Sequence, residues 1–375
     1  MRGNRALKRL DRYLGIPLVF VLGPVMRWAR ALGRSVQPPR TIGVIKEAAI
    51  GDTVVLASAL ADLRKAHPLA KIILFAGPTN HGFAKMLAVP DEVQLLPLNR
   101  PHRCVSILRR GKLDLLIDAG QWPRINAVIS ILSGAKRLVG FKTPAQYRHY
   151  GYDDAVVHRA DLHEVDNFRR LVAGGDAPLT APSFDINYKL IAPPTVKPYA
   201  VLHAWPGGER SELKEWAPEN WIAIARHLSE RGLSVVLSGG PGDRPRNDQL
   251  QKQMGGIDVL NLAGNPMHEL PSLLRQAAIV VSVNTGLMHL AAAMDVPTVG
   301  LHGPTSALRW GPRGARSIAV VSADPASQYL SLGFEYPASC NAMRAIHVDA
   351  VIDAIDSLML RSNPQGIDSR LTAAH

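Results

Sequence analysis

A polar turn interrupts a buried apolar run in the stretch VSVNTGLMHL. The turn consists of Asn284, Thr285 and Gly286, and it joins a predicted strand to a predicted helix. His289 follows one helical turn later and projects along the same opening. The first turn of a helix carries free backbone N–H groups and the positive end of the helix dipole, so it can bind a diphosphate. The alternative is that Asn284 or Thr285 only caps the helix and that the histidine is a buried structural side chain.

Three more residues in the second half of the chain suit the same ligand. Gly303 lies at a second strand end, LHGPT, which meets the first if strands 279–283 and 297–302 are neighbours. Lys214 offers a flexible cation for a phosphate. Asp243 lies among glycines, where an acid can accept hydrogen bonds from ribose hydroxyls. A solvated loop is the alternative for Lys214, and a lone acid near glycines is a weak signal.

A carboxylate near the start of the first α/β pattern is the candidate general base. Asp52 follows Gly51 in IKEAAIGDTVV, between a predicted strand and a predicted helix. A carboxylate there can take the proton from an acceptor hydroxyl, and we expect it to face the phosphate turn of the other domain. The alternative is an ordinary helix cap, because an acid at a helix N-terminus is stabilised by the dipole.

Two series of alternating strands and helices must position these residues. Continuous apolar runs between helical runs are typical of parallel sheets covered on both faces. We therefore predict an α/β fold with two doubly wound, Rossmann-like domains that face a cleft, with ligands at the carboxyl ends of the strands. The predicted boundaries are a basic and apolar extension over 1–40, an N-terminal acceptor-binding domain over 41–175, a proline-rich linker over 176–198, a C-terminal nucleotide-sugar-binding domain over 199–346, and a helix and tail over 347–375.

Length and composition agree with two globular domains. The chain has 375 residues, of which 47% are hydrophobic and 20% charged. Its two cysteines, Cys104 and Cys340, are far apart and lack metal-ligand spacing. This pattern suits a reduced cytosolic protein without a disulfide framework.

The N-terminal extension carries most of the net positive charge of the chain. Residues 1–40 hold nine Lys or Arg and one acid, so eight of the twelve net positive charges lie there. The apolar segment YLGIPLVFVLGPVM is shorter than the ~20 residues of a spanning helix, and Pro17, Gly23 and Pro24 interrupt it. We predict a segment that lies at anionic lipid headgroups. The alternatives are an extension that packs on the core and a cleaved signal peptide. No nucleic-acid-binding motif follows the basic arm.

The chain resembles glycosyltransferase family 9, the ADP-heptose:lipopolysaccharide heptosyltransferases, which have the GT-B fold. The stretches that carry the resemblance are IKEAAIGDTVVLASALADLRKAHPLAKI, VSVNTGLMHLAAAMDVPTVGLHGPT and the RWGP after it. It runs in order over about residues 41–360. It implies an inverting, metal-independent transfer, without a cofactor, from a nucleotide diphosphate sugar to a hydroxyl of a lipid-linked glycan.

The resemblance also implies roles for individual residues. Asp52 matches the family's catalytic aspartate, and Lys214 matches its phosphate-contacting lysine. Asp243 falls where an acid contacts the nucleoside, and the turn at 285–289 matches the diphosphate site. Asn284 departs from the family, which usually has an aspartate there in contact with the donor sugar. An amide is uncharged and can donate as well as accept, so heptose is not assumed.

The acceptor is expected to bind the first domain. Gly51, Arg103, Arg124 and Arg148 are the candidates for contacts with its phosphates or acidic sugars. For each arginine the alternative is a solvated surface position. Closure of the domains would then bring the acceptor hydroxyl to the anomeric carbon of the donor.

These features predict a glycosyltransferase of lipopolysaccharide biosynthesis in the bacterial cell envelope. Its expected partners are the sugar donor, a lipid-linked glycan and an anionic membrane surface, on the inner face of the cytoplasmic membrane. The alternatives are another GT-B enzyme, such as a sugar-nucleotide epimerase or hydrolase, and a non-catalytic, membrane-bound glycan-binding or scaffold protein. A dinucleotide oxidoreductase is disfavoured because no strand ends in G-x-G-x-x-G.

Overall fold

The chain divides into two compact units, Met1–Asn187 and Tyr188–His375. The computed structural model describes residues 5–32, 37–176, 178, 180–208, 211–330 and 342–362, with the backbone alone for 5–8, 10 and 362. The unit boundary falls inside the predicted linker. Parts of the predicted extension (1–4 and 33–36), of the C-terminal domain (331–341, with Cys340) and of the tail (363–375) lie outside the described residues.

The first unit is built on a six-stranded parallel sheet in the order β3-β2-β1-β4-β5-β6. Its strands are β1 (Thr41–Lys46), β2 (Lys71–Ala76), β3 (Glu92–Leu95), β4 (Leu115–Asp118), β5 (Arg137–Lys142) and β6 (Asp154–Val157). Its helices are α1 (Arg5–Leu32), α2 (Ile50–Ala66), α3 (His81–Ala84), α4 (Pro101–Arg110), α5 (Arg124–Ile131) and α6 (Glu164–Ala173). Residues of α1, α4 and α5 join one apolar cluster with the strands, and α2 packs against α6.

The second unit repeats this architecture, with the strand order β12-β11-β10-β7-β8-β9. Its strands are β7 (Tyr199–His203), β8 (Ser234–Leu237), β9 (Val259–Asn261), β10 (Ile279–Val283), β11 (Thr298–His302) and β12 (Ser317–Val321). Its helices are α7 (Pro218–Glu230), α8 (Arg244–Gln253), α9 (Leu270–Arg275), α10 (Gly286–Ala293), α11 (Ala307–Trp310) and α12 (Val348–Ser362). The predicted fold of two parallel-sheet α/β domains is confirmed, and so is the neighbouring position of β10 and β11.

The N-terminal extension differs from the prediction, because α1 is one continuous helix of 28 residues. Its segment Asp11–Leu32 has a mean hydropathy of 1.3 and could cross a membrane by length and composition. The judgement that the apolar segment is too short was therefore wrong. Pro17 and Pro24 lie on the exposed side of the helix, where the carbonyl groups that lose a donor stay open to solvent.

One face of α1 is fixed to the first unit along an i, i+4 stripe that includes Gly15, Val19 and Gly23. A Cβ on Gly15 would lie 2.6 Å from the Cβ of Arg124, so the glycine permits close approach to α5. A Cβ on Gly23 would lie 2.7 Å from the carbonyl oxygen of Tyr150. The small residues thus let α1 dock as part of the fold.

An ion pair lies near each end of α1, namely Asp11 with Arg124 and Arg30 with Asp153. The Asp11 carboxylate accepts hydrogen bonds from the backbone N–H groups of Arg124 (3.1 Å) and Ile125 (2.8 Å), so it caps α5 from another helix. At the other end, Arg30 donates to Asp153 and to the carbonyl of Gly151, both at 2.8 Å. The alternative of an extension that packs on the core is therefore realised for one face of α1.

Candidate active site

The predicted diphosphate turn lies at the carboxyl end of the central strand β10, between β7 and β11. Helix α10 begins at Gly286, and the side chain of Thr285 makes no capping hydrogen bond to it. The Thr285 hydroxyl instead lies 3.2 Å from that of Ser282. The turn thus presents backbone N–H groups at the sheet's ligand-binding edge, where an anion is favoured.

The residues around this turn are enclosed to different degrees. Asn284 is half-buried at the turn. His289 is buried, with its ring centroid 6.3 Å from that of Trp310, as the structural alternative expects. At the end of β11, a Cβ on Gly303 would lie 2.5 Å from the sulfur of Met343. Gly303 therefore has a packing role, because it gives space to the segment that leads into α12.

Lys214 and Asp243 follow the first two strands of the same sheet. Lys214 ends a short 3-10 turn, and its Nζ donates to the carbonyl of Gly207 at 3.4 Å. Asp243 Oδ2 accepts a hydrogen bond from the backbone N–H of Gly240 at 2.8 Å. The carboxylate thus stabilises its own glycine-rich turn. This structural role is compatible with the predicted contact to a nucleoside.

His203 is a candidate that the sequence reasoning missed. It is the last residue of β7, and its Nδ1 lies 2.9 Å from the Ser238 hydroxyl. Desolvation lowers the pKa of His203 to about 4, although the nearby Asp243 carboxylate opposes the shift. A neutral imidazole therefore stands at the edge that carries the other candidates. The sequence offered little signal for it, because the apolar run YAVLHAWP predicts a strand over 199–206 and so places His203 inside the strand.

Asp52 lies at the third position of α2 and is 8% exposed. Its Oδ2 accepts a hydrogen bond from the backbone N–H of Ala49 at 2.9 Å, so the local capping role is real. The same oxygen lies 3.6 Å from Nζ of Lys46, which is 1% exposed. Gly51 precedes it as the second, half-buried residue of the helix. The carboxylate is thus held in one position next to a buried cation.

The three arginines that were predicted to bind the acceptor have separate environments. Arg103 is exposed on α4 and fits the expectation of a solvent-facing cation. Arg124 is buried and pairs with Asp11 at 3.3 Å. Arg148 is fully buried, donates to Asp118 Oδ2 at 2.7 Å and to the carbonyl of Gly120.

The assignment of Arg124 and Arg148 to the acceptor is accordingly corrected. A buried guanidinium needs a partner inside the protein, and each of these has one. The Asp118 carboxylate keeps the pKa of Arg148 above its usual value, although desolvation acts in the opposite direction. For Tyr152 desolvation raises the pKa, and its hydroxyl donates a hydrogen bond to Asp118 Oδ2 at 2.8 Å. These arginines hold α1 and the sheet edge in place.

Within the described ranges, no group of three or more His, Cys, Asp or Glu side chains has an arrangement that could hold a metal ion. Cys104, which lies in α4, is buried, and desolvation raises the pKa of its thiol to about 11. This cysteine is a small apolar core residue.

Comparison with known proteins agrees with the geometry. The model of glycosyltransferase family 9 (heptosyltransferase) matches residues 102–333. Lipopolysaccharide heptosyltransferase 1 of Salmonella typhimurium is 27% identical over 304 residues, which cover 74% of this chain and 93% of that protein. Lipooligosaccharide heptosyltransferase 2 of Haemophilus influenzae is 32% identical over 105 residues, 27% of this chain and 30% of that protein.

Solved structures share the fold. The family 9 glycosyl transferase from Veillonella parvula has a TM-score of 0.71 at 18% identity, over 86% of this chain and 97% of that one. E. coli heptosyltransferase WaaC with ADP has a TM-score of 0.67 at 21% identity, over 85% and 99%. The two parallel-sheet domains therefore have the GT-B architecture of these enzymes. The chain belongs to glycosyltransferase family 9 and is a glycosyltransferase.

Proposed function

We propose that the chain transfers a heptose or a related sugar from an ADP-linked donor to a lipopolysaccharide-core or other lipid-linked glycan. The transfer inverts the anomeric centre and uses no metal. The observation that carries the proposal is the buried Asp52 carboxylate, held at a helix N-terminus beside the Lys46 ammonium. The names of the relatives, and a relative solved with ADP, support the donor class.

The reaction is a single displacement. Asp52 takes the proton of the acceptor hydroxyl as its oxygen bonds to the anomeric carbon. The bond from that carbon to the diphosphate oxygen breaks, and the nucleoside diphosphate leaves with the electron pair. The N–H groups at the start of α10 and the ammonium of Lys214 stabilise the charge that develops on the leaving group. Attack from the face opposite the leaving group inverts the centre.

The donor sugar lies next to Asn284 in this proposal. The amide at this position is uncharged and can both donate and accept a hydrogen bond. A sugar hydroxyl can therefore be either the donor or the acceptor toward it. This allows a related sugar as well as heptose, and the nucleoside contacts lie near Asp243 and His203, at the ends of β8 and β7.

We also propose that α1 lies in the plane of an anionic membrane on its cytoplasmic side. Its outward face carries large exposed apolar side chains, among them Val21 (67% exposed), Val25 (59%) and Trp28 (69%). Arg9 and Arg27 are exposed on the same helix and suit anionic headgroups. A spanning position would pull the buried Asp11 out of its pair, whereas an in-plane position keeps it.

The donor assignment is tested by the thermal unfolding midpoint of the purified protein with ADP, UDP, GDP or CMP and their sugar conjugates. A ligand that binds the folded state raises the midpoint by mass action. We expect a rise that is selective for ADP and ADP-heptose and equal with and without magnesium. A selective rise with another nucleotide would overturn the ADP assignment, and a dependence on magnesium would overturn the metal-independent reaction.

A further inference from the structure

A buried chain of polar side chains leads away from Asp52 through the first unit. Lys46, at the end of β1, is 1% exposed, with Nζ 3.6 Å from Asp52 Oδ2 and 3.3 Å from Gln121 Oε1. Gln121 Nε2 donates to Glu164 Oε1 at 2.6 Å. The same oxygen lies 2.8 Å from Nε2 of His158. These side chains link the ends of three strands to the first turn of α6.

The lysine pairs directly with the Asp52 carboxylate. Its separation of 3.6 Å is longer than an ordinary N–H···O hydrogen bond, so the ammonium acts mainly by its charge. In a buried site that charge is only weakly screened. The side chain also lies 5.4 Å from the ring centroid of Phe168, which restricts where it can move.

The rest of the network fixes the lysine. A buried ammonium is costly unless charges and acceptors surround it, and Gln121 supplies a second acceptor besides Asp52. Glu164 is fully buried and holds the amide of Gln121 in the orientation that turns its oxygen to the lysine. His158, which also contacts the Thr143 hydroxyl at 3.2 Å, holds Glu164 in turn.

We propose that Lys46 is a positioning residue for the reaction, which holds the Asp52 carboxylate in place, and that Gln121 and Glu164 set the place of Lys46. This inference rests on the proposed role of Asp52 as the base. The lysine itself touches neither substrate nor the proton that is transferred. Its loss therefore acts on the chemical step and leaves the binding of the donor, in the other unit, unchanged.

The test compares Lys46→Met, Lys46→Arg and Gln121→Leu with the control Lys71→Met in a transfer assay with ADP-heptose and a lipopolysaccharide-core acceptor. Lys71 pairs with Glu92 at 2.7 Å on the exposed surface of the same sheet. We expect Lys46→Met to lower kcat roughly 10- to 100-fold with little change in the KM for the donor, as a misplaced catalytic group does.

The other variants separate positioning from folding. Lys46→Arg keeps a cation beside Asp52, so it recovers most of the wild-type kcat, and Gln121→Leu lowers kcat severalfold while it keeps the ion pair. Lys71→Met keeps the full kcat. An unchanged kcat in Lys46→Met, with transfer by the wild type intact, would overturn this inference and leave the proposed function standing. A wild type that transfers no sugar from any donor would overturn the proposed function itself. If Lys46→Met fails to fold, Gln121→Leu decides, because a wild-type kcat in that variant would overturn the inference.

Discussion

Asp52 combines a local structural role with the proposed chemical one. Its hydrogen bond to the Ala49 N–H satisfies one of the free donors at the start of α2. The pair with Lys46 lies on the same oxygen and comes from a neighbouring strand end. A helix cap and a general base are therefore compatible in one carboxylate, because the cap holds the group where the chemistry needs it.

The lowered pKa of His203 predicts how the stability of the protein depends on pH. Its pKa is about 4 in the folded protein, against 6.5 for an ordinary histidine. Between these values the unfolded chain binds a proton that the folded protein does not, so this contribution to stability is complete above about pH 6.5 and is lost as the pH falls toward 4. We expect the free energy of unfolding in urea to fall less between about pH 7.5 and pH 5 in His203→Gln than in the wild type. Parallel pH curves for the two proteins would contradict the assignment.

Helix α1 is the element that sets this chain apart from a simple pair of α/β domains. Its inner face is specified by small residues and by Asp11, and its outer face carries apolar side chains exposed to solvent. Phe20 continues this surface onto the first unit, with its ring centroid 4.4 Å from that of Tyr150. Aromatic and apolar residues beside arginines are typical of a helix in a membrane interface.

The membrane proposal predicts the effect of removing the outward side chains of α1. The triple variant Val21→Asn, Val25→Asn, Trp28→Asn loses apolar area that is already exposed, so its thermal midpoint stays close to that of the wild type. Each large apolar group contributes about 1.5 kcal/mol or more when it enters an apolar phase, which is about tenfold in binding. We expect flotation with vesicles that contain anionic lipid to fall by more than tenfold.

A matched triple serves as the control. Leu69, Leu190 and Val196 are at least about as exposed but lie in loops outside α1. Their replacement by Asn should leave flotation unchanged. Equal loss in both triples would show that exposed apolar area in general binds the vesicles, and unchanged flotation of the α1 triple would contradict the proposed docking face.

At the scale of the whole molecule, buried strands can be predicted from the sequence and partly exposed edge strands cannot. The apolar run TIGVIK predicts a strand and forms β1, because a central parallel strand is apolar on both faces. The edge strand β6, with the sequence DAVV, was missed because two of its four side chains are exposed and it lacks a continuous apolar signal. The same edge effect explains the missed β12, which is mostly half-buried.

Tertiary partners account for the remaining differences. Pro17 and Pro24 indicate an interrupted segment when the sequence is taken alone, yet packing against α5 keeps α1 continuous. In the sequence alone, Arg124 and Arg148 cannot be told from surface cations, because their partners Asp11 and Asp118 come from distant parts of the chain. The strand ends that carry the candidate site were predictable, because parallel sheets place them at one edge, but the pairing of Asp52 with Lys46 depends on side-chain positions that no local pattern encodes.

The most direct test of the account is the rate of ADP release from ADP-heptose by Asp52→Asn, with a lipopolysaccharide-core acceptor present. The amide keeps an acceptor for the Ala49 N–H but cannot take a proton. We expect the rate to fall roughly 10²- to 10⁴-fold, as the loss of a general base does, with the donor-induced rise of the thermal midpoint preserved. Asp91→Asn, which removes an exposed carboxylate that pairs with Arg64 at the surface, should keep the wild-type rate. An Asp52→Asn protein that transfers sugar at the wild-type rate would contradict the assignment of Asp52 as the base.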